Sequence, residues 1–480
     1  MKQKIFTYLS VSFALLACCC IPAFAGYSSY GIPDSAEIRD ELVSSWFTAP
    51  LAEIRTKESK VFDDGAGNLF KVSVAEEGSF TKVIVASRSF VSVDFINGSS
   101  KTTQNTAVYK ETSPGSWVLY RDAKNGKSVK IRWYFNADSE VYLELRNETN
   151  KVYADLVAFG CYLSRSVPLG MSFRKLYSIS FDKIQLHTKR SVPWGNVLVA
   201  SGQYHSVLQM AAVIRQYLRN MVYVEDAAYN EHGELYSIEK NEPFTVTDAQ
   251  IERKPALAAV RQAVASDNCL VLSSPGFIKW IADGIIEPIT GRSTSLAAMV
   301  NPTVYYNNLG KKGVASQNWN ISFTIDLCRN LAVEVLNSRS TGRKYKYTIG
   351  ENDVTGVDVT KAPFVYDIDG SKLVGSMGYI KDSGYLPAEL KSLLYTLAVT
   401  EPRYFYFAAI KQRSPLNASD TVFNNCAALF PYFDDNGKFD CIVFEMGKEM
   451  SLSVFLERHK DSFIHLERVK STDYFKPLVK

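Results

Sequence analysis

Asn268-Cys269-Leu270-Val271-Leu272-Ser273-Ser274-Pro275-Gly276-Phe277-Ile278-Lys279-Trp280 is the stretch on which the reading of this chain turns. Ser273 and Ser274 offer hydroxyls for a helix N-cap, and Pro275 suits the first turn, where a missing N–H costs nothing. The stretch therefore predicts a helix start. Such a start matters chemically, because the helix dipole favours negative charge there and lowers the pKa of a thiol. Two nucleophile candidates stand beside it: the hydroxyl of Ser274 and, upstream, the thiol of Cys269. Each also has a structural reading, Ser274 as part of a cap and Cys269 as a buried thiol or half-cystine.

Outward from this point the chain keeps alternating helical and extended patterns. Upstream, residues 255–266 and 205–224 have helical spacing, the latter with Leu208, Ala211, Ala212, Ile214 and Leu218 on one side. Residues 225–252 are rich in acids and turn formers and read as a linker. Downstream, residues 326–337 and 386–397 read as helices and the remainder mostly as strands. Asp434-Asp435-Asn436-Gly437 has the look of a calcium-loop opening, but without the distal Glu it reads as a β-turn.

The order of these segments resembles that of the NlpC-type papain-like cysteine peptidases. That family opens its active-site helix with Asp-Cys-Ser-Gly-Phe, and laying Gly-Phe on Gly276-Phe277 puts Ser274 at the position of its cysteine. Pro402-Arg403-Tyr404-Phe405-Tyr406-Phe407 is similar to the family's Pro-Gly-Asp-Leu-Val-Phe-Phe strand. Asn425-Cys426-Ala427-Ala428-Leu429-Phe430 is similar to its His-Val-Gly-Ile-Tyr-Leu strand, which puts Asn425 at the histidine. Phe439-Asp440-Cys441-Ile442-Val443-Phe444-Glu445 resembles the next strand, with Glu445 at the third polar position. Residues 452–455 and 463–469 resemble the closing helix and the strand that ends in Arg-Val. The resemblance spans residues 255–470, and the insert between Trp280 and Pro402 is longer than the family's.

The resemblance implies a papain-like fold whose chemistry is gone. Ser274 stands for Cys and Asn425 for His, and an amide cannot take a proton at neutral pH, so the Ser274 hydroxyl has no base. An active alternative would use Cys269 with one of the five histidines. Among these, His465 sits in an apolar strand pattern, His459 lies between Arg458 and Lys460 as a surface residue would, and His187, His205 and His232 occupy polar or helix-start contexts. No pair of them has metal-ligand spacing, and no cofactor or metal is expected.

Residues 60–189 read as β structure. Alternating or β-branched runs such as residues 70–74, 82–86, 116–120, 129–134, 141–145 and 156–159 are separated by Asp64-Gly65, Asn97-Gly98, Pro114-Gly115 and Asn125-Gly126 turn signals. This pattern predicts an antiparallel sandwich or barrel. A helix is expected before it, over residues 34–47.

The N-terminus reads as an export signal: Lys2 and Lys4, an apolar run to Cys20, and Ala23-Phe24-Ala25 as a cleavage site. Leu15-Leu16-Ala17-Cys18 also resembles a lipobox, with Cys18 as the lipidated residue. Removing two lysines from 54 basic residues leaves 52 against 50 acidic ones, which argues against a nucleic-acid partner. The five later cysteines, Cys161, Cys269, Cys328, Cys426 and Cys441, are too few for a disulfide scaffold.

The expectation is thus an exported α+β protein of bacterial style. It has a signal peptide over 1–25, a β-rich domain over 30–200, a helix and linker over 201–252, and an NlpC-type domain over 253–480. The expected function is non-catalytic binding of peptide or peptidoglycan-like material in the cell envelope. An active cysteine hydrolase using Cys269 and an envelope adhesion or structural protein are the alternatives. Membrane attachment is expected only through a lipid on Cys18, and nothing indicates the oligomeric state.

Overall fold

The computed structural model describes residues 36–65, 67–97, 100–149, 151–199, 202–266, 268–304, 322–342, 344–347, 354, 356–361, 363–364, 378–414 and 421–479. The expected signal segment, its cleavage site and Cys18 lie outside the described residues. No helix among the described residues is long and apolar enough to cross a membrane. The N-terminal half holds a large antiparallel sheet and the rest is mixed α+β. Two compact units result: residues up to Phe135 with Tyr142–Ala154 and Pro168–Arg190, and then Asn136–Val141, Asp155–Val167 and Ser191–Lys480.

The first unit opens with helix α1 (Ala36–Leu42), which runs into a π-helical turn over Val43–Phe47, and α2 (Leu51–Arg55). Strands β1 (Lys60–Asp63), β2 (Leu69–Glu77) and β3 (Phe80–Ser87) follow, then β4 (Ser89–Asn97) and β5 (Ser100–Val108). β6 (Trp117–Asp122), β7 (Ser128–Tyr134), β8 (Val141–Glu148) and the first half of β9 (Lys151–Ala158) continue the series, and α3 (Phe181–His187) comes last, while the end of β9 and nearly all of β10 (Cys161–Pro168) count with the second unit.

Eight of these strands join one sheet in the order β1-β2-β3-β6-β7-β8-β9-β10, so a single meander with two edges stands where a sandwich or barrel was expected. Short turns explain most of it, because a hairpin returns the chain beside the strand it has just left, and the exception is β3 to β6, between which the separate β4–β5 hairpin intervenes. Asp122 organises one such turn, its carboxylate accepting the Lys124 and Asn125 amides, and Gly126 supplies the positive φ of 72° that a side chain would resist. Alternation selects the buried side. Val141, Leu143 and Leu145 of β8 are fully buried between half-exposed neighbours, and Phe47 lies 4.6 Å from Trp117, ring centre to ring centre. β4 and β5 pair only with each other among the described residues.

The first long helix of the second unit is α4 (His205–Tyr217). This helix ends short of the expected Val224, because β11 (Met221–Tyr223) is drawn into parallel pairing with β15 (Leu270–Leu272). Residues 225–252 are structured rather than a plain linker. β12 (Ala227–Tyr229), β13 (Leu235–Ser237) and β14 (Glu242–Pro243) form a small sheet. α5 (Asp248–Arg253) then starts on a Thr247–Gln250 capping box. Strands this short carry too little periodicity to be seen in a sequence.

α6 (Leu257–Val264) precedes β15, and α7 (Ser274–Thr290) starts directly after it, followed by α8 (Leu296–Met299), α9 (Phe323–Ser338) and α10 (Pro387–Thr400). The unit closes with β16 (Tyr404–Arg413), β17 (Thr421–Phe433), β18 (Phe439–Glu445), β19 (Lys448–Ser451), α11 (Leu452–Arg458) and β20 (Phe463–Lys470). Asp434 accepts the Asn436 and Lys438 amides in the turn that joins β17 to β18. The five strands form one antiparallel sheet, β19-β18-β17-β16-β20.

Its two faces bury different partners. Phe405, Phe407, Ala409, Cys426, Ala428, Phe430, Phe444 and Val469 share one core with the apolar sides of α4, α7 and α9. α10 touches β17 and α11 touches β18, and Glu445 of β18 is bonded by Arg458 and His459 at the end of α11.

Candidate functional site

The start of α7 is built by its two serines in different ways. Ser273 is the N-cap: its Oγ accepts the Gly276 amide at 3.1 Å and donates to the Ala227 carbonyl at 2.8 Å. Gly276 is required by this closeness, since a Cβ there would run into the same Ala227 carbonyl. Ser274 is the first helical residue, only 3% exposed, and its Oγ has no hydrogen-bond partner. The Tyr223 phenol lies nearby. Burial raises its pKa and Ser274 partly offsets the rise, although no hydrogen bond of normal geometry joins the two. Phe277 and Trp280 stack at 5.8 Å within the core, so the aromatic residues of the motif serve packing. A cavity of about 210 Å³ opens beside this helix start, lined by Met221, Tyr223, Leu272, Ser273, Phe277 and the Met446–Lys448 turn.

Asn425 and Glu445 meet directly. The Asn425 Nδ2 donates to Glu445 Oε1 at 2.5 Å, while its Oδ1 accepts the Cys426 amide at 2.9 Å. His459 Nε2 bonds the same Oε1 at 2.8 Å, and Arg458 donates to Oε2 at 2.6 Å. Burial alone would raise the Glu445 carboxyl, but His459, Arg458 and Asn425 together hold it below the usual carboxylate range. His459, expected at the surface, is 4% exposed and belongs to this group. The sequence offers one clue to it, its place one helical turn beyond Phe455, whose ring lies 4.8 Å away.

Ser274 does not join them. Residues directly opposite in an antiparallel pair share a face, and neighbours along a strand alternate. Cys426 is opposite Ala409, on the face that packs α7 and α9, whereas Asn425 is opposite Ile410 and Ala427 opposite Glu445, on the other face. Regular alternation from Asn425 onwards sets this phase, and the register shift between Ile410 and Lys411 affects only the residues before Asn425, which is how Phe423 and Cys426 come to share a face. Cys426, and not Asn425, is therefore the residue of this strand turned towards the helices.

Cys269 is no better placed. It precedes β15 instead of capping α7, its Sγ contacts the Leu270 carbonyl at 3.9 Å, and burial raises its pKa against a smaller opposing effect of the Val222 backbone. No hydrogen bond joins it to a histidine among the described residues. The five described cysteines are all free. Burial, then a hydrogen bond with Cys426, pushes the Cys328 thiol far above its ordinary range. Among the described residues one group has the spacing to hold a metal ion: Asp358, His465 and Glu467, all buried.

A family described as a domain of unknown function, DUF8515, matches residues 28–196. No curated protein and no solved structure matches the chain.

Proposed function

We propose that the second unit of this exported protein is a papain-like, NlpC-type domain that no longer catalyses, and that it holds peptide or cell-wall peptide in the cavity at the start of α7. The observation that carries this reading is the isolated Ser274 hydroxyl: buried at a helix N-terminus, where a nucleophile would be activated, yet without any base in contact. A serine without a base stays a protonated hydroxyl. The helix start packed against an antiparallel sheet, in the chain order of that family, supports the fold assignment. The cavity beside it combines apolar residues with Tyr223 and Lys448 in its lining, a mixture suited to a short peptide with a free carboxylate.

Calorimetry of the purified protein with muropeptides tests this. Binding without turnover is expected, weakened about tenfold by Tyr223→Ala or Lys448→Ala, a loss of about 1.4 kcal/mol. Product formation would overturn the non-catalytic reading. Absence of binding to both muropeptides and purified peptidoglycan would remove the ligand class and favour an adhesion or structural role. Iodoacetamide should label Cys269 near pH ~6 no faster than an ordinary thiol.

A further inference from the structure

We infer that the ligand is an extended L-peptide that adds as a third strand to the free edge of β11, with apolar residues alternating with lysine or arginine. This deepens the reading of the α7 cavity as a peptide site and rests on it.

The direction of the hydrogen bonds identifies the edge. β11 and β15 form a two-stranded parallel sheet in which Tyr223 is level with Leu272. The Val224 amide donates to the Leu272 carbonyl at 3.0 Å. Successive residues of a strand turn their backbone groups to opposite sides, so the Tyr223 N–H and C=O point away from β15. No strand pairs with β11 on that side among the described residues. Tyr223 is 42% exposed and Met221 and Val222 are half-buried, so the strand is not covered. Backbone polar groups need partners, and a peptide residue opposite Tyr223 can exchange both bonds with it.

Two cavities flank this edge. Met221 and Tyr223 line the one at the start of α7, of about 210 Å³. A second cavity, of about 620 Å³, lies against Val222, Val224, Phe244, Leu257 and Val260. Val222 and Tyr223 line both. Alternation along β11 puts Met221 and Tyr223 on one face, and Val222 and Val224 on the other, where they pack with Val260 in a small core. The cavities thus lie on opposite faces of the two-stranded sheet and meet at its edge. An added strand has the same period of two, so its successive side chains enter the two cavities in turn.

Charge decides what the larger cavity takes. Its lining carries Glu225, Asp226, Glu239 and Glu242 against Lys240 and Lys254. Lys254 lies 3.8 Å from Glu225, and Asp226 accepts the Ser237 hydroxyl and the Glu239 amide. The exposed Glu239 and Glu242 carboxylates take part in neither arrangement. Four carboxylates against two ammonium groups leave the lining net acidic. Apolar residues beneath acidic ones suit the methylene stem and cationic head of lysine or arginine. The smaller cavity, with Leu272 and Phe277 in its lining, suits an apolar side chain.

Selection of a random library of short L-peptides on the immobilised full chain should return sequences in which lysine or arginine alternates with apolar residues. Fluorescence anisotropy with a returned peptide then tests the pairing. N-methylation of the apolar residue opposite Tyr223 should weaken binding about tenfold, whereas N-methylation of the adjacent basic residue, whose amide points away from β11, should not. Replacing that basic residue by glutamate should weaken binding about tenfold, and so should Glu239→Gln combined with Glu242→Gln, two exposed positions where the fold is not at stake. A selection without binders, binders without alternation, or an N-methyl scan without alternation would each overturn the added strand. Should muropeptides still bind in a way that Tyr223→Ala weakens, the reading of the cavity survives that failure. Peptides that bind equally well to Tyr223→Ala and Lys448→Ala would sink both.

Discussion

The two faces of the C-terminal sheet each bury a carboxylate beside a histidine, and they satisfy it differently. On one face every oxygen of Glu445 is used, by Asn425, His459 and Arg458. On the other, Glu467 uses one oxygen on His465 and leaves the second without a partner. The first cluster acts as a bolt between β17, β18 and α11. The second is incomplete as a hydrogen-bond network, with one buried oxygen left over. Buried polar groups are costly when half satisfied and cohesive when fully satisfied.

Measurements that could break this contrast follow from it. Glu445→Ala should have the largest effect, about 3–5 kcal/mol by urea unfolding, because it strands buried His459 and Asn425 without their shared acceptor. Glu467→Gln should stay within about 1 kcal/mol of the parent, since burial already favours the neutral acid there and only one bond is at stake. Equal losses at the two positions would erase the distinction. Next comes pH. The folded Glu445 carboxyl is held below its unfolded value of about 4.3, so its contribution is complete above that value. Stability should then fall as pH drops through the lower, folded value. Urea midpoints between about pH 7 and 3 should lose part of this acid limb in Glu445→Gln, and an unchanged limb would mean that Glu445 is not its source. The smallest effect belongs to Ser274→Ala, neutral or stabilising by up to about 1 kcal/mol, because it deletes a buried hydroxyl with no partner. A marked loss there would reveal a bond to Ser274 and reopen its part in a site.

Much of the architecture was legible locally. Asp-Gly and Asn-Gly turns between β-branched runs announced the large antiparallel sheet, and Ser273 with Pro275 announced the start of α7. The readings that missed fail for geometric reasons. His459 sits between Arg458 and Lys460 in sequence, but a helix end turns each residue about 100° from the last, so a buried residue can have exposed neighbours. Arg458 keeps 46% of its side chain in solvent while His459 keeps 4%. Strands β12 to β14 are too short to show a period, which left residues 225–252 looking like a linker.

The sequence by itself determined the element order, the turn chemistry and the capped helix after Leu272. These depend on neighbours a few residues apart. Only the tertiary structure decided which face Asn425 points to, because the helices pack on the side that carries Cys426, Ala428 and Phe430. It alone also brought Arg329, Asp358, His465 and Glu467 together from three separate segments. Burial and long-range pairing, which no local pattern encodes, turned residues with ordinary surroundings in the sequence into a charged cluster sealed from water.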